Sequence, residues 1–244
     1  MIKNLLLIIL LGICFIVPGK NIGTFDPNRN TWIVDTGKIK CEFLEGCMFP
    51  SAFQKDGRYY PNFSLLDELQ TSSGKYYLKD ERWAEIKIIE NTPEFFKVEC
   101  HGKFGLNASP RYRIYKNSDA VYCYTFYRNS GKTEMKAKVS INDKNTVKYT
   151  LLHAGWLYHE FEDLILNGKI LKTARGKKID IPQNGAILKN SFASVAIPGN
   201  AVFNMNYKRY DKNSNLFQHI KVLRNCGELQ KNGTVDADMI LEFR

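Results

Sequence analysis

Helical periodicity is scarce in this chain of 244 residues. Only two short stretches, 64–69 and 158–164, repeat apolar side chains at a spacing that is compatible with a short helix. Internal repeats, low-complexity tracts and linker-like segments are absent from the sequence as well. These absences exclude a helical bundle and a repeat protein, and they indicate one folded domain.

Motifs of familiar catalytic and metal sites are also missing. The sequence contains no glycine-rich phosphate loop, no nucleophile elbow and no Ser-His-Asp arrangement. Its cysteine spacings match no zinc pattern, and the segment around His159 and Glu160 lacks the second histidine of a zinc-protease motif. We therefore exclude a metalloprotease and expect neither a metal ion nor a cofactor.

The longest apolar run lies at the N-terminus. Lys3 precedes this run, and Val17 and Gly19 occupy the positions that a signal-peptide cleavage site reserves for small residues. The run is shorter than the roughly 20 apolar residues that a membrane-spanning helix needs. We therefore expect residues 1–19 to be a signal peptide, the mature chain to begin at Lys20, and the protein to be secreted or periplasmic.

A retained N-terminus is the alternative interpretation. Cys14 would then be the acylated cysteine of a lipoprotein, or the apolar run would stay as an uncleaved anchor. Ile13 is bulky at the position where a lipoprotein signal prefers a small residue, which favours cleavage. We expect contact with a membrane only if this segment is retained.

Cysteine usage changes with export. Removal of residues 1–19 leaves an odd number of cysteines, so an oxidising compartment leaves at least one free thiol or an intermolecular bond. Cys41 and Cys47 are near enough in sequence to close a small loop, and Cys100 and Cys123 belong to neighbouring strand candidates. Spacing alone does not decide the pairing.

The formal net charge is +10, from 35 Lys and Arg against 25 Asp and Glu. An exported basic protein does not meet nucleic acid as its routine partner, so we expect none. Anionic glycans such as uronic-acid polymers, or an anionic cell surface, fit the charge better. The alternative is that the charge only maintains solubility.

Alternation of apolar and polar residues is the dominant pattern of the chain. It is clearest in the segments 39–43, 96–100, 135–141 and 235–243. Such alternation places one face of a strand in the core and the other in water, as in antiparallel sheets. Asn167-Gly168 between two apolar runs predicts a tight hairpin. We therefore predict an all-β, antiparallel sandwich over residues 20–244.

Two segments, 31–43 and 83–126, carry a family resemblance. The first contains Val34-Asp35-Thr36-Gly37 at the end of a strand, and the second contains Val98-Glu99-Cys100-His101-Gly102 followed by Arg111-Tyr112-Arg113-Ile114-Tyr115. They resemble the early strands of secreted exo-rhamnogalacturonan lyase-like proteins and, more broadly, of galactose mutarotase-like β-sandwiches. The resemblance covers about half of the chain and includes no catalytic signature. It implies a single antiparallel β-supersandwich and a connection to carbohydrate, and it assigns no catalytic residue.

One short segment is rich in aromatic, histidine and acidic residues. If it is extended, Trp156, Tyr158 and Glu160 share one face, and His153 and His159 share the other. Aromatic rings stack on the apolar faces of sugars, and a histidine beside a glutamate can act as the acid–base pair that an aldose epimerase requires. We select His153, His159 and Glu160 as candidate catalytic residues, and Trp156 and Tyr158 as candidate binding residues. The alternative is a short helix with its charges in solvent.

Arg111 and Arg113, together with Tyr115, share one face of a predicted strand. Two guanidinium groups can bind a carboxylate through paired hydrogen bonds, which suits a uronic acid. In a lyase such a clamp acidifies the neighbouring C–H group, and a tyrosine or histidine removes its proton. We select Arg111 and Arg113 as candidate substrate-binding residues. The alternative is a solvated strand face paired with Glu94 or Glu99.

These patterns predict an exported domain that binds carbohydrate or processes polysaccharide, with acidic glycans as its partner. If the domain is an enzyme, the candidate reactions are those of a polysaccharide lyase or an aldose epimerase. A structural or interaction module of the cell envelope is the alternative, and it would scatter the candidate residues that a sugar site brings to one open sheet face. The remaining histidines, His101 and His219, are isolated in strand candidates, and we interpret both as structural.

Overall fold

The computed structural model describes residues 19–244 apart from 52, 61–62, 72–73, 78–83, 104, 109–110, 115–117, 142–145, 158–160, 174–175, 177, 209–216 and 229–232. Within 59–83, 104–118, 141–160, 208–217 and 224–233 only the backbone of the strands is described. Every regular element in this part of the chain is a β-strand, and every strand pairing is antiparallel. The predicted signal peptide precedes the described residues and stays a prediction.

The largest sheet has nine strands. In spatial order they are β16 (Lys169–Lys172), β15 (Asp163–Leu166), β18 (Ala186–Lys189), β19 (Ala193–Ile197), β22 (Gly233–Phe243), β13 (Lys132–Ile141), β12 (Ser118–Tyr127), β9 (Phe95–Gly102) and β8 (Glu85–Asn91). Alternation sets its two faces: Met135 and Val139 of β13 are buried, whereas Lys136 and Lys138 are exposed. The sheet therefore has an apolar inner face and a polar outer face.

Two further sheets complete the fold. The eight-stranded sheet contains, in spatial order, β11 (Arg111–Ile114), β10 (Gly105–Ala108), β7 (Gly74–Tyr77), β6 (Phe63–Thr71), β14 (Thr146–Leu157), β21 (Phe217–Glu228), β20 (Ala201–Lys208) and β17 (Lys178–Ile181). The five-stranded sheet is a meander of β1 (Gly23–Asp26), β2 (Thr31–Asp35), β3 (Lys40–Leu44), β4 (Phe53–Lys55) and β5 (Arg58–Tyr60).

The hydrophobic core lies on the inner face of the nine-stranded sheet. Phe43 of β3 is fully buried, with its ring centroid 5.2 Å from that of Tyr124 and 5.9 Å from that of Phe126. Phe53 of β4 packs on Phe243 of β22, with 5.5 Å between the ring centroids. The backbone of β6 lies across β13 and β22. Full burial of each such phenylalanine contributes about 2–3 kcal/mol, so the aromatic contacts fix the layers against each other.

The alternating segments are strands, as the sequence predicts. Segments 39–43, 96–100, 135–141 and 235–243 correspond to β3, β9, β13 and β22. The predicted hairpin is also confirmed, because β15 pairs with β16 around Asn167 and Gly168. These two residues have φ angles of 48° and 75°, which is the conformation that asparagine and glycine favour in a two-residue turn.

The predicted helix over 64–69 is wrong. These residues lie within β6, which pairs with β7 on one side and β14 on the other, so strand pairing has overridden the local apolar spacing. In the second stretch, residues 158–160 lie outside the described part, 161 and 162 have no regular structure, and β15 begins at Asp163, so the prediction is contradicted from 161 onward. No helix among the described residues is long and apolar enough to span a membrane.

The strand register excludes a disulfide between Cys100 and Cys123. Cys41, Cys100 and Cys123 are free thiols. Cys100 pairs with Tyr122 across β9 and β12, whereas Cys123 pairs with Glu99. Cys100 is therefore buried on the inner face and Cys123 lies on the outer face, so the two cannot form a disulfide.

Candidate functional site

The outer face of the nine-stranded sheet carries a groove over β9, β12, β13 and β22. Two depressions adjoin there, with volumes of about 610 Å³ and about 340 Å³. Cys123 and Lys136 line both depressions, so the two form one continuous hollow that we name the outer groove. His101 and Lys138 lie at one end of it, and Tyr127 lies at the other.

Strand register brings these side chains together. Lys138 of β13 pairs with Val121 of β12, and Val121 pairs with His101 of β9. Two residues further along each strand, Lys136 pairs with Cys123. Paired residues place their side chains on the same face of a sheet about 5 Å apart. Positions distant in sequence therefore form one surface across neighbouring strands.

A histidine–glutamate pair lies at the first end of the groove. His101 Nε2 is 3.0 Å from Glu99 Oε2, and each side chain is 30% exposed. The two residues are two positions apart in β9, which puts them on the same face of the strand. Lys138 and Asp236 line the same end. A half-exposed imidazole held by a carboxylate is able to accept or donate a proton at a bound ligand.

A tyrosine with a charged cluster forms the second end. The Lys132 Nζ atom is 2.6 Å from Glu134 Oε1 and 5.8 Å from the centre of the Tyr127 ring. The hydrogen bond from Lys132 lowers the pKa of Glu134, and a further hydrogen bond from the Tyr127 hydroxyl acts in the same direction. Burial, followed by the negative charge of Glu134, raises the pKa of Tyr127. Glu134 therefore stays ionised and Tyr127 stays neutral near pH 7.

The free thiol of Cys123 lies where the two halves of the groove meet. Burial raises the pKa of Cys123, while the nearby Lys97 lowers it and Glu99 raises it. The thiol is consequently protonated near neutral pH and is a weak nucleophile. No cluster of three or more His, Cys, Asp or Glu side chains with metal-binding geometry occurs among the described residues.

The predicted arginine pair lies in the other large sheet. Arg111 and Arg113 belong to β11, where they pair with Ala108 and Leu106 of β10. Their backbone is extended, as the prediction requires, and their side chains lie outside the described part. The carboxylate clamp remains a prediction.

The predicted aromatic and histidine residues fall in or just after β14. His153 pairs with Lys221 of β21 and with Ser64 of β6, and Trp156 lies one residue before the end of the strand. Tyr158, His159 and Glu160 lie outside the described residues. β14 lies four inter-strand spacings from β11, which corresponds to roughly 19 Å at 4.8 Å per spacing. One sugar ring cannot bridge that distance, but a short oligosaccharide can.

His101, which the sequence led us to interpret as structural, has its side chain on the outer groove beside Glu99. The sequence does contain a signal for it. Lys97, Glu99 and His101 are the polar positions of the alternating strand 96–100 and its flanks, so they face solvent together. His219, by contrast, is buried, in agreement with a structural role.

No model of a known protein family matches the chain, and no curated protein matches it. Solved structures do share its fold. A glycosyl hydrolase family 38 protein from Enterococcus faecalis matches 93% of this chain and 31% of its own, at 11% identity and a TM-score of 0.54. A Paenibacillus xanthan lyase matches 92% of this chain and 25% of its own, at 9% identity and a TM-score of 0.52. A heparan sulfate lyase, a HepC mutant from Pedobacter heparinus, matches 91% and 36%, at 9% identity and a TM-score of 0.50.

These similarities concern the fold, since identity at this level shows nothing finer. The chain spans between a quarter and about two fifths of the length of the first structures that it matches. Galactose mutarotase-related enzymes are also among the matching structures. Its antiparallel sheets and its similarity to these larger enzymes give the chain the β-sandwich fold that the sequence resemblance implied.

Proposed function

We propose that this chain is an extracytoplasmic carbohydrate-binding domain that holds an acidic polysaccharide in the outer groove. The observation that carries the proposal is the groove itself, which combines an aromatic ring, ionised carboxylates, lysines and a histidine–glutamate pair on one open sheet face. The shared fold with xanthan lyase and heparan sulfate lyase supports a polysaccharide as the ligand class. The N-terminal apolar run supports export.

The residues of the groove fit the chemistry of a sugar. Tyr127 offers a ring face for the apolar side of a pyranose, with Phe95 paired beside it on the neighbouring strand. Glu134 stays ionised and accepts hydrogen bonds from hydroxyl groups. An aromatic ring beside groups that form hydrogen bonds with hydroxyls is the combination that orients a carbohydrate.

The preference for acidic chains has two supports. Lys97, Lys136 and Lys138 line the groove and can bind carboxylate or sulfate groups. The net charge of +10 provides a long-range attraction for any polyanion. Carboxylates such as Asp236 and Asp238 lie among these lysines, so an incoming chain must place its anionic groups at the lysine positions. Specificity for the spacing of charges follows from this alternation.

Polysaccharide processing is a second candidate, favoured by the contact of 3.0 Å between His101 and Glu99. In a lyase reaction the neutral imidazole would remove the proton next to the uronate carboxylate, while Lys138 neutralises that carboxylate. Glu99 would orient the ring and stabilise the imidazolium that forms. An aldose epimerase would use the same pair to move protons during ring opening.

Binding is tested with a uronic-acid polymer, polygalacturonate, and a neutral polymer, galactan, by affinity electrophoresis and calorimetry. The Tyr127→Ala variant should bind both polymers roughly fivefold more weakly, because an aromatic contact is worth about 1 kcal/mol beyond its area. The control is Phe25→Ala, which removes an exposed ring from the five-stranded sheet. Wild-type protein that binds neither polymer contradicts the proposal.

The outer groove and the residues chosen from the sequence are alternative binding sites on different sheets. Trp156→Ala and Arg113→Ala test the eight-stranded sheet in the same assay. If these variants lose binding while Tyr127→Ala keeps it, the ligand sits on the eight-stranded sheet and the outer groove is not the site. Lyase activity is followed by absorbance of the unsaturated product, and His101→Gln should abolish it without weakening polymer binding.

A further inference from the structure

A row of directly paired residues, one from each strand, crosses the nine-stranded sheet through the groove and continues beyond it. From Glu134 the register runs across five more strands, through Ile240, Ala196, Ile187, Ile165 and Ile170. Residues that pair directly share a face of the sheet, so this row lies on the same outer face as the groove. Its length from Glu134 to Ile170 is roughly 24 Å at 4.8 Å per strand.

The row is apolar and open to solvent. Ile240, Ile187 and Ile170 are 39%, 43% and 63% exposed, and they belong to the few large apolar side chains that the described surface exposes. Isolated exposed isoleucines need no explanation, but an aligned series marks a contact surface. The row therefore offers a narrow apolar strip that begins at the groove.

The far end of the row is basic. Ile170 lies in the edge strand β16 between Lys169 and Lys172, and all four residues of that strand are exposed. Residues 169–178 contain five Lys or Arg and no Asp or Glu. Lys172 forms an ion pair of 2.5 Å with Asp163, yet its side chain is 74% exposed and available to an anion. The strip thus ends in positive charge at the edge of the sheet.

We propose that the groove, the isoleucine row and β16 form one track for a long anionic polysaccharide that crosses the strands. This inference rests on the proposed function. One section of the polymer occupies the groove, the apolar faces of the following sugar rings pack on the isoleucines, and an anionic group further along binds Lys172, which shares the outer face with Ile170. Two linked contacts raise affinity through effective concentration, so only chains long enough to reach both gain from the track.

The shape of the row favours a linear polymer over a protein partner. The row is one residue wide, and charged residues such as Lys189 and Asp163 border it on the adjoining register row. A stable protein interface buries about 800 Å² on each partner, which a strip of this width does not supply.

The experiment compares tetragalacturonate with long polygalacturonate by calorimetry. Wild-type protein should bind the polymer more tightly per site than the tetramer. The Lys172→Gln variant should bind the polymer roughly two- to fivefold more weakly and the tetramer unchanged, because one exposed charge contact is lost only for the long chain. The matched control is Lys40→Gln, in which Lys40 likewise pairs with a carboxylate, that of Asp35.

The apolar row is tested separately. Ile187→Asn should weaken polymer binding several-fold, whereas Leu44→Asn, at a similarly exposed leucine of the five-stranded sheet, should not. Polymer affinity that survives both Lys172→Gln and Ile187→Asn overturns the track and leaves groove binding intact. An equal loss in the Lys40→Gln control also overturns it, because the effect would then reflect net charge alone. Failure of wild-type protein to bind even the tetramer counts instead against the proposed function.

Discussion

Two buried threonines differ in what their hydroxyl groups contact. Thr133 of β13 is fully buried, and its Oγ1 atom has no hydrogen-bond partner among the described residues. Thr36, also buried, donates to the carbonyl of Ser130 at 2.7 Å and accepts from the Ile39 amide at 3.1 Å. An unsatisfied buried hydroxyl carries its desolvation penalty without compensation.

Thr133→Val should therefore stabilise the fold by about 1 kcal/mol, since it keeps the side-chain shape and removes the unpaired hydroxyl. Thr36→Val should destabilise it by about 1–2 kcal/mol, because two hydrogen bonds are lost and their partners stay buried. Urea unfolding followed by fluorescence measures both. Equal destabilisation by the two substitutions would mean that Thr133 has a hydrogen-bond partner after all.

Single residues also show the limit of sequence reasoning about the site. The outward direction of His101 and Tyr127 follows from alternation along β9 and β12. Whether an outward residue meets open solvent or a groove depends on its neighbours across the sheet, and β13 and β22 are about a hundred residues apart in the chain. Alternation along each strand identifies the polar face. It does not identify which polar residues of different strands lie next to one another in the sheet.

Elements were predicted best where alternation was longest. The strands β13 and β22 keep a strict two-residue period, and the structure has them paired at the centre of the nine-stranded sheet. The stretch 64–69 has a local spacing that imitates a helix, yet β6 lies between two partner strands that supply its backbone hydrogen bonds. Non-local pairing is invisible to a short window, which explains the error.

The cluster at one end of the outer groove gives a pH prediction that depends on strand pairing. Glu134 has a lowered pKa in the folded protein because of its hydrogen bond from Lys132. A carboxyl with a lowered folded pKa contributes stability above its unfolded pKa, near 4.5, and loses it as the pH falls through the folded pKa. Glu134→Gln should thus be less stable than wild type at pH 7, by less than about 1 kcal/mol for this partly exposed pair.

The difference between Glu134→Gln and wild type should shrink as the pH is lowered below 4.5. Denaturant unfolding at a series of pH values measures it. Glu94→Gln, at an exposed carboxylate in the turn between β8 and β9, is the control and should show little effect at any pH. A Glu134→Gln deficit that persists undiminished at low pH would assign the loss to packing, not to the ion pair.

At the scale of the molecule, the nine-stranded sheet has one covered face and one open face. The five-stranded sheet and β6 cover its inner face through the aromatic core, and the outer groove and isoleucine row occupy the other. The sequence predicted the sandwich because alternating strands need two packed layers. It did not predict which sheet presents the open face, because the order of strands in the sheets is not sequential.

The net charge of +10 leads to the last prediction, which concerns salt. The screening length falls from about 30 Å at 0.01 M salt to about 8 Å at 0.15 M, so attraction between the whole molecule and a polyanion weakens over this range. Binding of polygalacturonate should therefore fall steadily with added salt, while binding of neutral galactan should stay nearly constant.

Tyr127→Ala separates contact from long-range attraction in the same titration. Ring stacking does not depend on screening, so the variant should bind polygalacturonate more weakly at every salt concentration with an unchanged slope of log affinity against log salt. Lys172→Gln should instead reduce that slope, because fewer counterions are released when the polymer binds. Affinity for polygalacturonate that is independent of salt would contradict an anionic ligand and would leave a neutral polysaccharide as the partner of the groove.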